Sequence, residues 1–436
     1  MAQRFSKRQS NSYLIENIDF WTPQGVQHDV QILVENGRVK AIGKGLSGAN
    51  TRIDGMGKVV MPAGVDAQTH LRVPGQAHKE LPETGLLAAL RGGYSAVLTM
   101  PNTQPTIDSP EVLKMGQAAV EPFEREFGVK VFWSAAITKS LNSDDPTNFV
   151  QLAEAGVRAF TNDGLGVLSD AVMEEAFRTL EKLNIPLLQH AEFLGHGGAL
   201  APGPVQEKVK AAPYPDDPEW KMVERDIREL KKYPGARYHV LHVSSRKTLD
   251  LVKQAKKEGL CITAEVTPHH LYFNTETLDP NNKSFKMNPP IRSQEDQQSL
   301  WKGLGNGAID FVSTDHAPHE ATMKSGGFDS VAFGTIGLET TLPVLFDGWK
   351  KGLLSPERLV EVFASKPAEF LNLPDGFGEI KEGLPFHAVW VNPSGSPHVY
   401  AEKDFSSLSK NSCFVGAQLP GRILGAFHEQ SIFQFE

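Results

Sequence analysis

Cysteine is almost absent from this 436-residue chain: Cys261 and Cys413 are the only two. That is too few for a disulfide framework or a thiolate zinc site. Cys261 lies in the apolar run "LCITAEV", which reads as a buried, unreactive thiol. Long hydrophobic runs are missing as well. No stretch approaches the roughly 18 apolar residues that span a bilayer, and the opening "MAQRFSKRQSNSYLIEN" has no continuous apolar core of a signal peptide. A soluble cytoplasmic protein is therefore expected. Positive charge is not in excess either: 44 Lys and Arg stand against 52 Asp and Glu, a net charge of −8. Without a long basic run to follow a phosphate backbone, neither nucleic acid nor an acidic membrane is an expected partner.

What the chain does have is length and rhythm. Hydrophobic residues make up 40% of it, enough for one large barrel-type domain and a smaller one. Residues 13 to 62 alternate as short strands with turn signals, including the Asn36-Gly37 hairpin signal. From Val59 onward, β-rich runs alternate with stretches of helical period such as "DAVMEEAFRTLEKL" and "TLDLVKQAKKE". Eight such runs follow one another: "VVMPAGVDAQTH", "YSAVLTMPNT", "VKVFWSAAIT", "VRAFTNDG", "IPLLQHAE", "RYHVLHVSS", "CITAEVTPHH" and "IDFVSTDHAPH". Nearly all begin apolar and end in Asp, His, Asn or Ser/Thr. That is what an α/β fold of the (β/α)8 TIM-barrel type requires, because its chemistry sits at the C-terminal ends of the strands. A doubly wound open sheet fits eight units less well. After about residue 380 short strands and turns return, so both chain ends should build one composite β domain, 1–60 with 379–436, beside a barrel over 61–378. A Gly- and Pro-rich insertion between His190 and Tyr238 is too irregular for one element.

Five titratable groups fall at the ends of the expected strands: His70, Asp163, His190, His242 and Asp315. Any one strand-end histidine has an ordinary hydrogen-bonding explanation, and Asp163 before Gly164 also reads as a turn or cap aspartate. Converging on one barrel mouth, they form a metal site of imidazoles and carboxylates. Zinc is the usual ion for such a set, and one bridging carboxylate can hold two ions. The chemistry this implies is hydrolysis, with a metal-bound hydroxide attacking a carbonyl and Asp315 as proton shuttle. Arg72, two residues past His70 on an extended strand, would point into the same mouth and fork onto a carboxylate, or else form a surface ion pair. Asn102 and Asn288 lie beside prolines in loops, where turn formation is their ordinary role. The segment 320–329, "EATMKSGGFD", reads equally as a mobile lid or an exposed loop.

Together, "HLRVPGQAHKE", "TMPNTQP", "FTNDGLGV", "QHAE", "HVSS", "VTPHHLYF", "NPPIR", "STDHAPH" and "GTIGLET" resemble the class I dihydroorotases of the cyclic amidohydrolase superfamily, over about residues 12 to 425. The resemblance implies reversible zinc-dependent hydrolysis of dihydroorotate to N-carbamoyl-L-aspartate in pyrimidine synthesis. It also implies His70 and Asp315 at one metal position, His190 and His242 at a second, and Asp163 bridging them. Arg72, Asn102 and His319 would hold the substrate carboxylate, and Asn288 would face the ring. A homodimer and an association with aspartate transcarbamoylase are the protein partners it brings with it. Four positions depart from the family pattern: Gln68 where a first histidine of His-x-His is usual, Val73 for Glu, Asn162 for the first acid of "DDG", and His387 for Asp. Gln68 is thus expected as a weak or outlying ligand. The competing readings are a hydantoinase or allantoinase, and a non-catalytic partner of aspartate transcarbamoylase.

Overall fold

The computed structural model describes residues 5–193 and 197–436; residues 194–196 of the Gly-rich insertion lie outside the described residues. The chain opens with β1 (Phe5–Gln9), β2 (Ser12–Thr22), β3 (Gly25–Glu35), β4 (Arg38–Gly43) and β5 (Thr51–Pro62). Eight short strands follow: β6 (Gly64–Thr69), β7 (Tyr94–Thr99), β8 (Lys130–Ala135), β9 (Ala159–Thr161), β10 (Leu187–Gln189), β11 (Tyr238–Val240), β12 (Ile262–Val266) and β13 (Phe311–Val312). The end of the chain adds β14 (His387–Asn392), β15 (His398–Val399), β16 (Gln418–Leu419), β17 (Arg422–His428) and β18 (Ser431–Phe435).

Strands β6 to β13 pair in chain order, each parallel to the next. All eight expected barrel strands are present. The ring closes through bridges from Thr69 to His316 and from His316 to Thr335, and through Asp66. Asp66 accepts hydrogen bonds from Thr314 N at 2.8 Å and Thr314 Oγ1 at 2.6 Å, tying the first strand to the segment after the last. Helices cover the ring because their apolar faces need burial. The helix Asp170–Leu183 is capped by Ser169, which accepts from Val172 N, and it stops at Asn184 in the left-handed conformation. It turns Val172, Met173, Ala176, Phe177 and Leu180 inward, a one-face spacing in which each large side chain stabilises by roughly 1.5–3 kcal/mol. Val65, Ala67, Ala96, Leu98, Leu188 and Leu241 fill the barrel interior, with Phe311 and Phe370 toward its lower end.

The two chain ends meet in a second eight-stranded sheet, ordered β1-β18-β17-β14-β5-β2-β3-β4. Every pairing in it is antiparallel except β2 with β5. It has its own core of Tyr13, Ile15, Ile32, Val60, Phe386, Trp390 and Phe427.

Two expectations need correcting. The run "VVMPAGVDAQTH" is not one strand: Val59–Pro62 belongs to the composite sheet through β14, and the barrel strand starts only at Gly64. The reason is that both halves are apolar, so the change of sheet at Ala63 leaves no mark in the hydrophobic pattern. Cys261 is exposed, because it precedes β12 and sits on the rim before the strand enters the ring. Segment 320–329, read as a lid or an exposed loop, is largely exposed and is held by side-chain hydrogen bonds. Lys324 Nζ donates to the carbonyls of Lys283, Lys286 and Ala332, and Lys286 Nζ donates to Asp329 O. No helix among the described residues is long and apolar enough to cross a membrane.

Candidate active site

At the C-terminal mouth of the barrel a cavity of about 200 Å³ is lined by His70, Arg72, Asn102, Asp163, His190, His242, Asn288, Asp315 and His319, with Gly164, Ala317, Phe333 and Gly334. Nine of the ten residues singled out from sequence therefore line one wall-to-wall space, and the tenth, Gln68, touches it through Asp163. Gln68 is wholly buried, and its Nε2 donates to Asp163 Oδ1 at 3.2 Å.

The geometry follows from where the strands stop. His70 directly follows β6, Asp163 lies two residues past β9, His190 directly follows β10, and His242 and Asp315 stand two and three residues past β11 and β13. Three lining residues bend the chain there: Arg72, His242 and Asp315 have φ of 59°, 34° and 45°. Left-handed backbone is costly for residues with a Cβ, and it is a form of strain found where side chains must be aimed. Arg72 is thus not on an extended strand as its spacing with His70 suggested. The turn still brings it inward, where it is buried and donates from Nε to Pro318 O at 3.2 Å, with Nη2 3.3 Å from His319 Nε2.

Asp163 is the hub. His70 Nε2 lies 3.0 Å from its Oδ2, His190 Nδ1 3.3 Å and His242 Nε2 3.8 Å from its Oδ1. His70 Nε2 is also 3.0 Å from Asp315 Oδ1, and the hydrogen bond is aligned to Asp315, so Asp163 Oδ2 keeps an unused lone pair. His190 Nδ1 and His242 Nε2 face each other at 2.9 Å. Two triads sharing Asp163 result, His70–Asp163–Asp315 and Asp163–His190–His242, with ligand atoms within 4.8 Å of one another. Zinc bonds of about 2.0–2.2 Å in tetrahedral geometry set neighbouring ligand atoms about 3.3–3.6 Å apart, so both groups suit a metal ion.

Burial works against charge on these side chains, and the cluster overrides it. For His70, burial lowers the pKa, but Asp163 and Asp315 raise it to about 9. For His190, burial is likewise outweighed by Asp163 and Glu192, giving about 10. Asp163 is held well below the carboxylate range: burial pushes it up, while His70, His190 and His242 pull it down. This is the electrostatics of a site that attracts cations, since the protons on the imidazoles occupy the places a metal would take. His319 goes the other way, with burial and then Arg72 lowering it, so it is a neutral ring.

Other expected residues have different partners. Asn102 Oδ1 accepts from His70 Nδ1 at 2.8 Å and so turns Nε2 of that ring toward the carboxylates. Gly164, at φ 86°, leaves room for Asn102; a Cβ there would lie 3.2 Å from its Nδ2. Asn288 Nδ2 donates to Glu192 Oε2 at 2.7 Å. Of the departures from the family pattern, Asn162 faces away from the cavity. It accepts from Ile137 N and Thr138 N and donates to Thr138 Oγ1 and Leu141 O, which a carboxylate could not do. Val73 is core, and His387 belongs to β14, stacked on Phe377 at 4.9 Å and next to His428.

Sequence reasoning missed Glu192 and Tyr214, whereas Phe333 and Gly334 open the "FGTIGLET" stretch expected to line the floor of the pocket and do line it. Glu192 carried a signal, since it stands two residues beyond His190 in "QHAE". Tyr214 comes from the insertion and has no local pattern that marks it.

An amidohydrolase family model matches residues 59–424. The chain is 36% identical to a dihydroorotase of Listeria monocytogenes serotype 4b (strain F2365) over 424 residues, 96% of this chain and 98% of that one. It is 39% identical to a dihydroorotase of Anaplasma phagocytophilum (strain HZ), covering 86% of this chain and 83% of the other. Among solved structures, L-hydantoinase from Arthrobacter aurescens superposes with a TM-score of 0.85 at 25% identity over 96% of this chain and 95% of that one. Dihydropyrimidinase from Brevibacillus agri NCHU1002 has the same fold, with a TM-score of 0.80 at 20% identity over 97% and 94% of the two chains. With a barrel mouth of this composition and matches of this extent, the chain belongs to the amidohydrolase family.

Proposed function

We propose that the chain is a dihydroorotase, hydrolysing the ring amide of dihydroorotate reversibly to N-carbamoyl-L-aspartate. The observation that carries this reading is Arg72. A buried guanidinium lining the same cavity as the His/Asp cluster suits a substrate with a carboxylate beside its scissile amide, and it distinguishes this cavity from one built for an uncharged hydantoin ring. The full-length similarity to dihydroorotases supports the same choice.

In this reading His70 and Asp315 hold one ion, His190 and His242 a second, and Asp163 both; zinc is the proposed ion. When bound there, such an ion supplies Lewis acidity, polarising the amide carbonyl and making water nucleophilic near neutral pH. The rest falls to the chain's own residues. Arg72, Asn102 and His319 anchor the substrate carboxylate, and Asn288 meets the ring. The Asp315 carboxylate accepts the proton of the attacking water and returns it to the ring nitrogen as the C–N bond breaks. Gln68, donating to Asp163, lends that carboxylate a neutral hydrogen bond where a second imidazole is usual.

The test is loss of the ring's ultraviolet absorbance with purified, zinc-supplemented protein. Turnover that a chelator abolishes and zinc restores supports the reading. A folded, zinc-bound protein without turnover refutes it in favour of a non-catalytic partner or another cyclic amide. Sizing of the same preparation, alone and with aspartate transcarbamoylase, reads out the homodimer and that association.

A further inference from the structure

Behind the cavity, on the side away from Asp163, lies a buried polar group that the mechanism above does not use. Glu192 and Tyr214 are buried, with 9% and 2% exposure. The Tyr214 hydroxyl donates to Glu192 Oε1 at 2.5 Å and lies 2.9 Å from Asn288 Oδ1. Glu192 Oε2 accepts from Asn288 Nδ2 at 2.7 Å and is 3.5 Å from His190 Nε2. Tyr214 is itself fixed: its N donates to Leu200 O at 2.7 Å, and its carbonyl accepts from Arg292 Nη1 at 2.5 Å.

This arrangement answers two questions that the lining residues leave open. An imidazole can offer a lone pair to a cation from only one nitrogen at a time, and the hydrogen bond made by the other nitrogen decides which. For His190, Nδ1 faces Asp163 and His242, while Nε2 lies 3.5 Å from Glu192 Oε2 and 3.2 Å from Asn288 Nδ2, whose own N–H already donates to the same Oε2. A carboxylate on the Nε2 side takes that nitrogen's proton as a hydrogen bond and leaves Nδ1 as the donor to the cluster. A carboxamide is equally able to sit either way round. Asn288 turns Nδ2 toward an acceptor, Glu192 Oε2, and Oδ1 toward the Tyr214 hydroxyl; reversed, its Oδ1 would face the Glu192 carboxylate, so one orientation is favoured.

We propose that Glu192 and Tyr214 are a positioning pair that serves both halves of the site: Glu192 sets the tautomer of His190 toward the metal cluster, and the two together fix the amide of Asn288 toward the substrate ring. The metal half stands on geometry alone, whereas the Asn288 half rests on the dihydroorotase reading. The insertion between His190 and Tyr238 thereby has a task, since Tyr214 belongs to it and locks the residues that touch substrate without touching substrate itself.

The experiment is a zinc titration of the full chain against a chromophoric chelator, for wild type, Glu192→Gln, Glu192→Asp and Tyr214→Phe, together with kcat and KM for dihydroorotate. Glu192→Gln should weaken zinc binding by about 10- to 100-fold, and Glu192→Asp should recover part of the loss. The thermal midpoint of the metal-free protein should stay close to wild type, which a merely structural role would not allow. Tyr214→Phe should leave zinc affinity near wild type and raise KM several-fold with kcat largely kept. Wild-type zinc affinity in both Glu192 variants overturns the tautomer assignment, and an unchanged KM in Tyr214→Phe overturns the Asn288 assignment. If Glu192→Gln does not fold, Glu192→Asp decides on the same titration. A wild-type protein that binds zinc without turning over dihydroorotate removes the substrate reading and the Asn288 half, while the titration still judges Glu192.

Discussion

Two of the buried sets of histidine and carboxylate in this barrel behave in opposite ways. At the mouth, Asp163 is held ionised and His70 and His190 are raised to about 9 and 10. Deeper in the ring, His239 Nε2 lies 3.2 Å from Glu265 Oε2, closer than His190 or His242 comes to Asp163. Yet burial pushes Glu265 up to about 8 and His239 down to about 3, so both are neutral. The inner pair is sealed among apolar rings, His239 stacked on Phe311 at 5.0 Å and near Phe370. Among the described residues, Ser313 is the one side chain that donates to Glu265, at 2.5 Å. Asp163 has three imidazoles and an amide around it. Proximity of an acid and an imidazole therefore does not make a charged site; several donors must converge on the same carboxylate to repay its desolvation.

Breaking the hub should have the largest effect. Asp163→Asn removes the charge that all three imidazoles share, and zinc content together with hydrolysis should fall, the latter by more than about 10³-fold. Elemental analysis beside the absorbance assay checks both. Asp315→Asn should lower kcat by about 10²- to 10⁴-fold, the range of a positioned proton carrier, with KM and the fold kept. Unchanged turnover would remove Asp315 from that role. Arg72→Met should chiefly raise KM for dihydroorotate, by about 10- to 100-fold, the weight of a charged hydrogen bond of about 1.5–3 kcal/mol. An unaltered KM would refute the carboxylate clamp.

The smallest effect sharpens the other side of the comparison. The Glu265 carboxyl titrates near 4.5 when unperturbed and near 8 in the fold. Between those values the folded state holds a proton that the unfolded state has lost, so stability falls as pH rises from 4.5 and levels off above 8. Glu265→Gln should abolish that slope and leave the mouth's zinc affinity largely intact. Denaturation midpoints across this pH window, at constant metal occupancy, would show it; an equal slope in both proteins would mean that Glu265 is ionised in the fold.

The eight barrel strands were legible because each is a short apolar run with a polar end, a pattern local in sequence. The five titratable residues were legible for the same reason, as they stand at those ends. The break at Ala63 was not, since two apolar strands in different sheets look like one. Arg72 was assigned to the mouth from an extended-strand spacing that the backbone does not adopt; a left-handed turn delivers it there instead. Asn162 looked like a weakened acid, but it is an amide chosen for four hydrogen bonds to the loop after β8.

What the sequence by itself determined is the alternation of strand and helix and the residue types at each strand end, because both follow from short-range hydrophobic period and chain direction. What only the tertiary structure decided is which of those groups share a partner. Ring closure brings His70 and Asp315 within 3.0 Å across 245 residues of chain, and the number of imidazoles meeting one carboxylate separates an ionised hub from a neutral buried pair. Charge state in a low-dielectric interior depends on every neighbour at once, and neighbours from distant strands are not written in any local stretch of sequence.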